Sequence, residues 1–295
     1  MKPYYHILSL LFLIAASQAF PQTDGDQHSR LRRAVEKTYE KSVYARIKVN
    51  NGMIYINKAK SNQVFNGEFI FTKHPPMVEY EIVGDEGRLS VRVTDRVSKR
   101  KESNEVEDYD IEMNQVYENE CYLNFSPGIP LSVKMDLGVI KGEVDLGGLK
   151  LKNVDISTAV SQASIDFSEA NPIRLEDLKI ENGVGKLKVY RIGNANFSKF
   201  HFEGGVGKYV LDFDGDYTHD VSADVEIGMG KLTIYLPQTI GVRIEVDKSF
   251  LSSLDIDKVY KDHDIYYNDL WDENNPKLDL HIDSGVAKVK IEWIE

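Results

Sequence analysis

Two stretches of the 295-residue chain carry residue types that chemistry uses. The first is Asp212-Phe213-Asp214-Gly215-Asp216, with Asp220 beyond, and it has the carboxylate density of a calcium loop. An EF-hand places its glycine after a third acidic position and a glutamate six residues later. Here Gly215 precedes Asp216 and no glutamate stands at that distance, so the stretch reads as a turn leaving a strand, with Asp212, Asp214 and Asp216 as metal-ligand candidates. The second stretch, Ser249 to Pro276, holds Asp255, Asp257, Asp262, His263, Asp264, Asp269 and Asp272 among Tyr260, Tyr266, Tyr267 and Trp271. Rings beside carboxylates and an imidazole suit a sugar cleft or a metal site, with Asp262, His263, Asp264, Tyr266, Tyr267 and Trp271 as ligand-binding candidates. In an extended run Asp262 and Asp264 share one side, so this triplet supplies at most two ligands. A metal site needs a third or fourth from elsewhere. The competing reading is a loop whose rings pack over the end of a sheet and block its edge.

Beyond these stretches the reactive inventory is thin. His28, His74, His201, His219 and His281 form no spaced pair, and there is no Gly-x-Ser-x-Gly elbow, no His-Glu-x-x-His helix and no cysteine pair. We expect no catalytic set and no cofactor. The lone Cys121 makes no internal disulfide and reads as a small buried hydrophobe, because Glu118 and Glu120 give it none of the electropositive setting a reactive thiol needs.

Residues 1–19 look like an export leader: Lys2, an apolar run from Ile7 to Ala16, and small residues at Ser17-Gln18-Ala19. Ten apolar residues are too few for a bilayer, which takes about 20. Cleavage after Ala19 and secretion across the inner membrane are expected, which leaves a periplasmic or cell-surface protein with no integral membrane segment. Without Lys2 the chain has 35 basic and 47 acidic residues, a net charge of −12. That balance disfavours nucleic acid and anionic membranes as partners. The acid is concentrated: Glu102 to Val133 holds eight carboxylates and no lysine or arginine.

These residues sit among elements whose pattern is repetitive. One phrase recurs as Gly183-Val184-Gly185-Lys186-Leu187, Gly205-Val206-Gly207-Lys208-Tyr209 and Gly228-Met229-Gly230-Lys231-Leu232, at spacings of 22 and 23 residues. Weaker copies stand at Gly138-Val139-Ile140-Lys141, Ala159-Val160-Ser161-Gln162 and Gly285-Val286-Ala287-Lys288. A period in this range marks stacked units that bury one another's apolar faces. Leu187 and Val189 alternate with Lys186, Lys188 and Tyr190, a strand with one buried face. Gly193-Asn194 turns the chain, and Phe197, Phe200 and Phe202 line the return. The pairs Gly183/Gly185, Gly205/Gly207 and Gly228/Gly230 are structural turn glycines; a phosphate cradle would need a helix after them and a Ser or Thr after the lysine.

The expected architecture is all-β: a signal peptide at 1–19, an N-terminal β module with its acidic exit segment at 20–120, and a β-solenoid at 121–295 with an insertion at 249–276. Within the module we expect a short helix over Leu31–Ser42, a hairpin turning at Asn51-Gly52, and strands at 64–72, 77–83 and 88–94. Leu278, Leu280 and Ile282 are expected to pair with Val289, Ile291 and Trp293 as a cap.

The repeated phrases, with Phe202-Glu203-Gly204-Gly205 and Thr233-Ile234-Tyr235-Leu236-Pro237, resemble the toast-rack proteins of bacterial envelopes and the LiaF-like C-terminal, cell-wall-active-antibiotic response, domain. The resemblance covers about residues 130–295, and 43–95 more loosely. It implies a non-enzymatic all-β domain, often attached to membrane helices, which this chain lacks. The expected role is an interaction or scaffold domain with a protein partner in the envelope, or a component of the cell-envelope stress response. It would use the face carrying Lys188, Tyr190, Lys208, Lys231, Thr233 and Tyr235. The alternative is a glycan- or calcium-binding module using 255–271.

Overall fold

A computed structural model describes residues 28–60, 63–94, 119–248, 253–257, 259–273 and 275–294. The leader and the acidic stretch 102–118 lie outside the described residues. The strands are β1 (Ser29–Val35), β2 (Ser42–Lys58), β3 (Phe65–Phe71), β4 (Met77–Val83), β5 (Glu86–Val93), β6 (Glu120–Phe125), β7 (Pro130–Asp145), β8 (Lys150–Asp166), β9 (Leu175–Tyr190), β10 (Phe197–Asp212), β11 (Val221–Pro237), β12 (Gly241–Lys248), β13 (Ser253–Asp255), β14 (Tyr260–Asp262), β15 (Ile265–Tyr267) and β16 (Lys277–Ile294). Among the described residues no helix is long and apolar enough to cross a membrane.

Seven strands, β2, β7, β8, β9, β10, β11 and β16, are the coils of the solenoid and stack in parallel in that order. Each doubles back at its middle. Phe200 and Phe213 are thirteen residues apart, about 43 Å along an extended strand, yet their ring centroids lie 5.6 Å apart. Phe202 and Tyr209, on either side of Gly205-Val206-Gly207, approach to 5.3 Å. The parity of burial switches at the bend: β9 buries Leu178 and Ile180 before it and Leu187 and Val189 after it. The first halves thus build one sheet layer, the second halves another, and the core lies between them.

The glycines at the bend answer a steric demand. A Cβ on Gly205 would stand 2.3 Å from the Gly183 carbonyl oxygen, and one on Gly183 2.6 Å from that of Ala159. Gly228 repeats the contact at 2.8 Å, Gly207 meets Gly185 O at 2.2 Å, and Gly185 meets Ser161 O at 2.0 Å. Gly230, at φ +129°, would meet Gly207 O at 1.9 Å. Behind the bend, Asn182 donates to Thr158 Oγ1 at 2.5 Å and to Ser161 Oγ, and accepts from the Tyr209 hydroxyl at 3.3 Å, so these interior polar atoms are paired. The opposite corner is a 3-10 turn, Ile192–Ala195, flanked by Arg191 and Asn196 in the left-handed region. Asparagines stitch these return corners: Asn171 donates to the carbonyls of Leu151 and Ala195, and Asn194 to that of Phe167.

Three expectations are corrected. Asn51-Gly52 is no hairpin: Val43–Val49 pairs parallel with Leu131–Leu137, and Met53–Ile56 parallel with Lys141–Val144, so the dipeptide is one more bend. Leu31–Ser42 is not helical; β1 pairs antiparallel with β3 as an edge strand, with Arg30 and Arg32 reaching Glu68. Leu278–Ile282 and Val289–Trp293 are the two halves of β16, and both pair parallel with β11.

The stack ends in broken coils. At one end β5 covers the first half of β2 and β6 the second. Antiparallel β4 then closes the first layer, and β3 with β1 the second. At the other end β12 and β13 cover the two halves of β16, so β16 lies between β11 and strands that precede it in the chain. The β15–β14 pair runs antiparallel along β12.

Candidate interaction surface

The outward residues of the coils form columns, because parallel in-register strands set equivalent positions ~4.8 Å apart. On the first layer many charges pair: Arg46 with Asp136 at 3.1 Å, Lys134 with Asp155, Lys179 with Glu181 at 2.5 Å and Arg243 with Asp279 at 2.7 Å. The Lys179 ammonium holds the Glu181 carboxyl below its ordinary value, and Glu181 raises the lysine.

The second layer differs. Lys141, Gln162, Lys186, Lys208, Lys231 and Lys288 follow one another across adjacent strands. All six are exposed. None of the five lysines makes an ion pair among the described residues. Next outward come Lys188, whose Nζ lies 6.0 Å from the Tyr190 ring centre, and Tyr235, half-buried like Tyr190. Thr233, expected on this face, is 7% exposed, covered between its column neighbours.

Between the layers runs a ridge that sequence reasoning passed over. Val139, Val160, Val184, Val206, Met229 and Val286 occupy equivalent positions in successive strands. Val160, Val184, Val206, Met229 and Val286 are 41–49% exposed, although apolar. The signal was present: an apolar residue stands between the glycine positions in every copy of the phrase, where a polar one would serve the bend equally.

The carboxylates of the 212–216 stretch do not converge. Asp212 Oδ1 accepts from the Asp214 amide at 3.0 Å, Asp214 Oδ1 from the Gly215 amide at 2.8 Å, and the Asp216 amide donates to Asn194 Oδ1 at 3.3 Å. Burial raises the Asp212 carboxyl, and burial beside Asp212 and Asp214 raises the Tyr217 hydroxyl far more. Among the described residues no three His, Cys, Asp or Glu side chains gather as metal ligands.

In the 249–276 segment the candidates separate as well. Tyr266 is buried, 4% exposed, with Lys261 Nζ 5.2 Å from its ring centre. Asp262 and His263 sit at the β14–β15 turn, paired to each other at 2.7 Å, with His263 at φ 56°. Asp264 belongs to the same turn, where its carbonyl accepts from the Val246 amide. Trp271 lies apart, under Lys277 at 5.7 Å. Tyr267 stacks on Tyr260 at 6.1 Å, and Tyr260, not among the candidates, is 59% exposed. The described surface also carries open depressions, among them one of about 410 Å³ beside Asn50 and Gly138 and one of about 740 Å³ beside Lys58 and Glu169.

The parallel stack with its glycine bend is matched by a family model. The model for the N-terminal domain of toast_rack (DUF2154) covers residues 23–190, more than half of the chain. The chain belongs to the toast_rack family. The match ends with β9, and the toast-rack stack continues past it through β10, β11 and β16 with the same bend. Among solved structures the chain is similar to a candidate cell adhesion protein from Clostridium sporogenes, at 18% identity and TM-score 0.48 over 90% of this chain and 100% of that one. It is also similar to a candidate adhesin from Bacteroides fragilis, at 11% identity and TM-score 0.33 over 89% and 97%. No curated protein matches it.

Proposed function

We propose that this toast-rack chain is a non-enzymatic, exported interaction module of the cell envelope that presents the outward face of its second layer to a protein partner. The observation that carries the reading is the uncompensated lysine column in a chain of net charge −11. Like charges on adjacent strands destabilise a sheet, and no ion pair among the described residues offsets these lysines, whereas several first-layer charges are paired. A face that keeps it is suited to an acidic partner surface, with Tyr190 and Tyr235 as the amphipathic contacts typical of interfaces. The test is capture of envelope proteins by the immobilised chain. Lys186→Glu with Lys231→Glu, both exposed members of the column, should abolish capture while leaving the melting temperature within a few degrees. Undiminished capture overturns the reading.

A second reading rests on the exposed Tyr260–Tyr267 stack, a platform for a sugar ring. It predicts that soluble cell-wall fragments raise the melting temperature and that Tyr260→Ala removes the shift. Tyr266→Ala does not test it, because that ring is part of the core and its loss destabilises the cap.

A further inference from the structure

We infer that the bend ridge is the contact between two copies of this chain, arranged side by side with their stacks pointing the same way. The ridge is apolar and continuous over six strands, about 24 Å at ~4.8 Å per strand, and exposed in five of them. Single exposed apolar residues need no explanation, but a contiguous strip marks an interaction site.

The charges on either flank name the occupant. Five residues before each lysine of the second-layer column, on the first layer, stands its opposite: Asp136 for Lys141, Glu181 for Lys186, Glu203 for Lys208, Glu226 for Lys231 and Asp283 for Lys288. In β8, where Gln162 replaces the lysine, Ser157 replaces the acid. From β7 to β16, charge is present or lost on both flanks of a coil together; β2, with Lys48 and Met53 at these positions and Asn51 at the ridge position, lies outside the pattern. Yet the flanking groups do not pair across the ridge: Glu181 bonds Lys179 and Asp136 bonds Arg46, while Glu203, Glu226 and Asp283 make no ion pair among the described residues.

A polyanion laid on the ridge would meet the acidic column, and a polycation the lysines. The surface that presents acid opposite lysine and lysine opposite acid, coil by coil, is the same ridge turned by 180° about the stack axis. That rotation sets valine against its own counterpart and each acidic column against the partner's lysine column, an isologous twofold contact. The antiparallel arrangement fails, because it sets acid against acid and lysine against lysine. A strip about 24 Å by 20 Å on each copy buries on the order of 1,000 Å² in total, the lower end of specific interfaces. The dimer is therefore expected in the micromolar range and to weaken with salt.

Sedimentation equilibrium of the full chain, from submicromolar to hundreds of micromolar, tests the inference. It should give a monomer–dimer equilibrium, and Val206→Glu should raise the dissociation constant by at least about tenfold. Lys208→Glu should weaken the dimer, and adding Glu203→Lys should restore it, which a role confined to one copy would not produce. Val206→Cys and Val184→Cys should each oxidise to a dimer linked through identical residues, the native Cys121 being buried. Circular dichroism confirms that each variant is folded. Monomer at every concentration, a dimer indifferent to Val206→Glu, or cross-linking of Val160→Cys to Val286→Cys in place of self-linking overturns it. So does a monomer whose Val206→Cys thiol is protected from labelling, which would place another part of the chain on the ridge. Dimer and partner would meet the same lysines; Val206→Glu, which removes the dimer and keeps the lysine column, should still capture the partner, so failure of one proposal is read apart from failure of the other.

Discussion

The bend can be dissected with three glycine-to-alanine substitutions that separate conformation from collision. At Gly230 both act: the backbone is at φ +129°, and a Cβ would lie 1.9 Å from the Gly207 carbonyl oxygen. Holding an alanine there costs about 1–3 kcal/mol. Relieving the collision requires adjacent coils to part by about an ångström, an overpacking cost of about 1–3 kcal/mol. Gly230→Ala should therefore lose about 2–6 kcal/mol and lower the melting temperature by at least about 5 °C. Gly84→Ala isolates conformation, since φ is +68° and nothing lies within 4 Å of the new Cβ; it should lose about 1–2 kcal/mol. Gly207→Ala isolates collision, since its Cβ would lie 2.2 Å from Gly185 O at a backbone conformation open to alanine. Urea unfolding followed by circular dichroism reads all three. A Gly230→Ala protein as stable as the parent, or less affected than Gly84→Ala, would refute the steric account of the repeat.

Asn182→Ala should lose about 2–3 kcal/mol in the same assay, because it strands the Ser161 and Tyr209 hydroxyls behind the bend and leaves Thr158 only the Glu181 carbonyl at 3.4 Å. Burial pushes the Cys121 thiol up to about 12, so an aromatic disulfide reagent should leave it unmodified at pH 8 in the native protein and titrate one thiol in denaturant. The Asp212 carboxyl is raised by burial above its ordinary 3.8. The folded state then holds that proton more tightly than the unfolded state, and stability falls as pH rises from the unfolded value through the folded one. Asp212→Asn keeps the acceptor for the Asp214 amide and should remove that loss, raising the melting temperature near neutrality relative to the parent; a lowered value would contradict the burial account.

The coils from β9 to β11 were legible because each carries the full Gly-x-Gly-Lys phrase and clean alternation on both sides. β2 escaped for a local reason: Asn-Gly is the preferred two-residue hairpin turn, and nothing within ten residues says that its flanking strands pair with other coils. The parity switch was there, from Ala45, Ile47 and Val49 to Ile54 and Ile56, but a hairpin permits it as readily as a bend. The helix expected over 31–42 drew on a thin stripe around Leu31, and pairing with Phe69 in β3 overrode it. The ridge was invisible for a different reason. An apolar residue in an alternating strand reads as core, and only the bend, by turning that position outward in every coil, exposes Val184, Val206 and Met229. The dispersal of the Tyr-rich candidates is likewise tertiary, since β15 pairing with β12 turns Tyr266 inward and Tyr267 outward.

The position of β16 bears on how the molecule is made. Synthesis delivers β12 to β15 before the strand that must lie between them and β11. While β16 is missing, two long parallel edges face each other across an unfilled slot, or else β12 zips onto β11 in its place and must later be displaced. The first route leaves exposed ladders that invite aggregation, and the second is a kinetic trap. A chain threaded through a membrane in an unfolded state meets neither difficulty, because all its strands become available together. The late strand thus biases the protein toward folding once the whole chain is available rather than during synthesis.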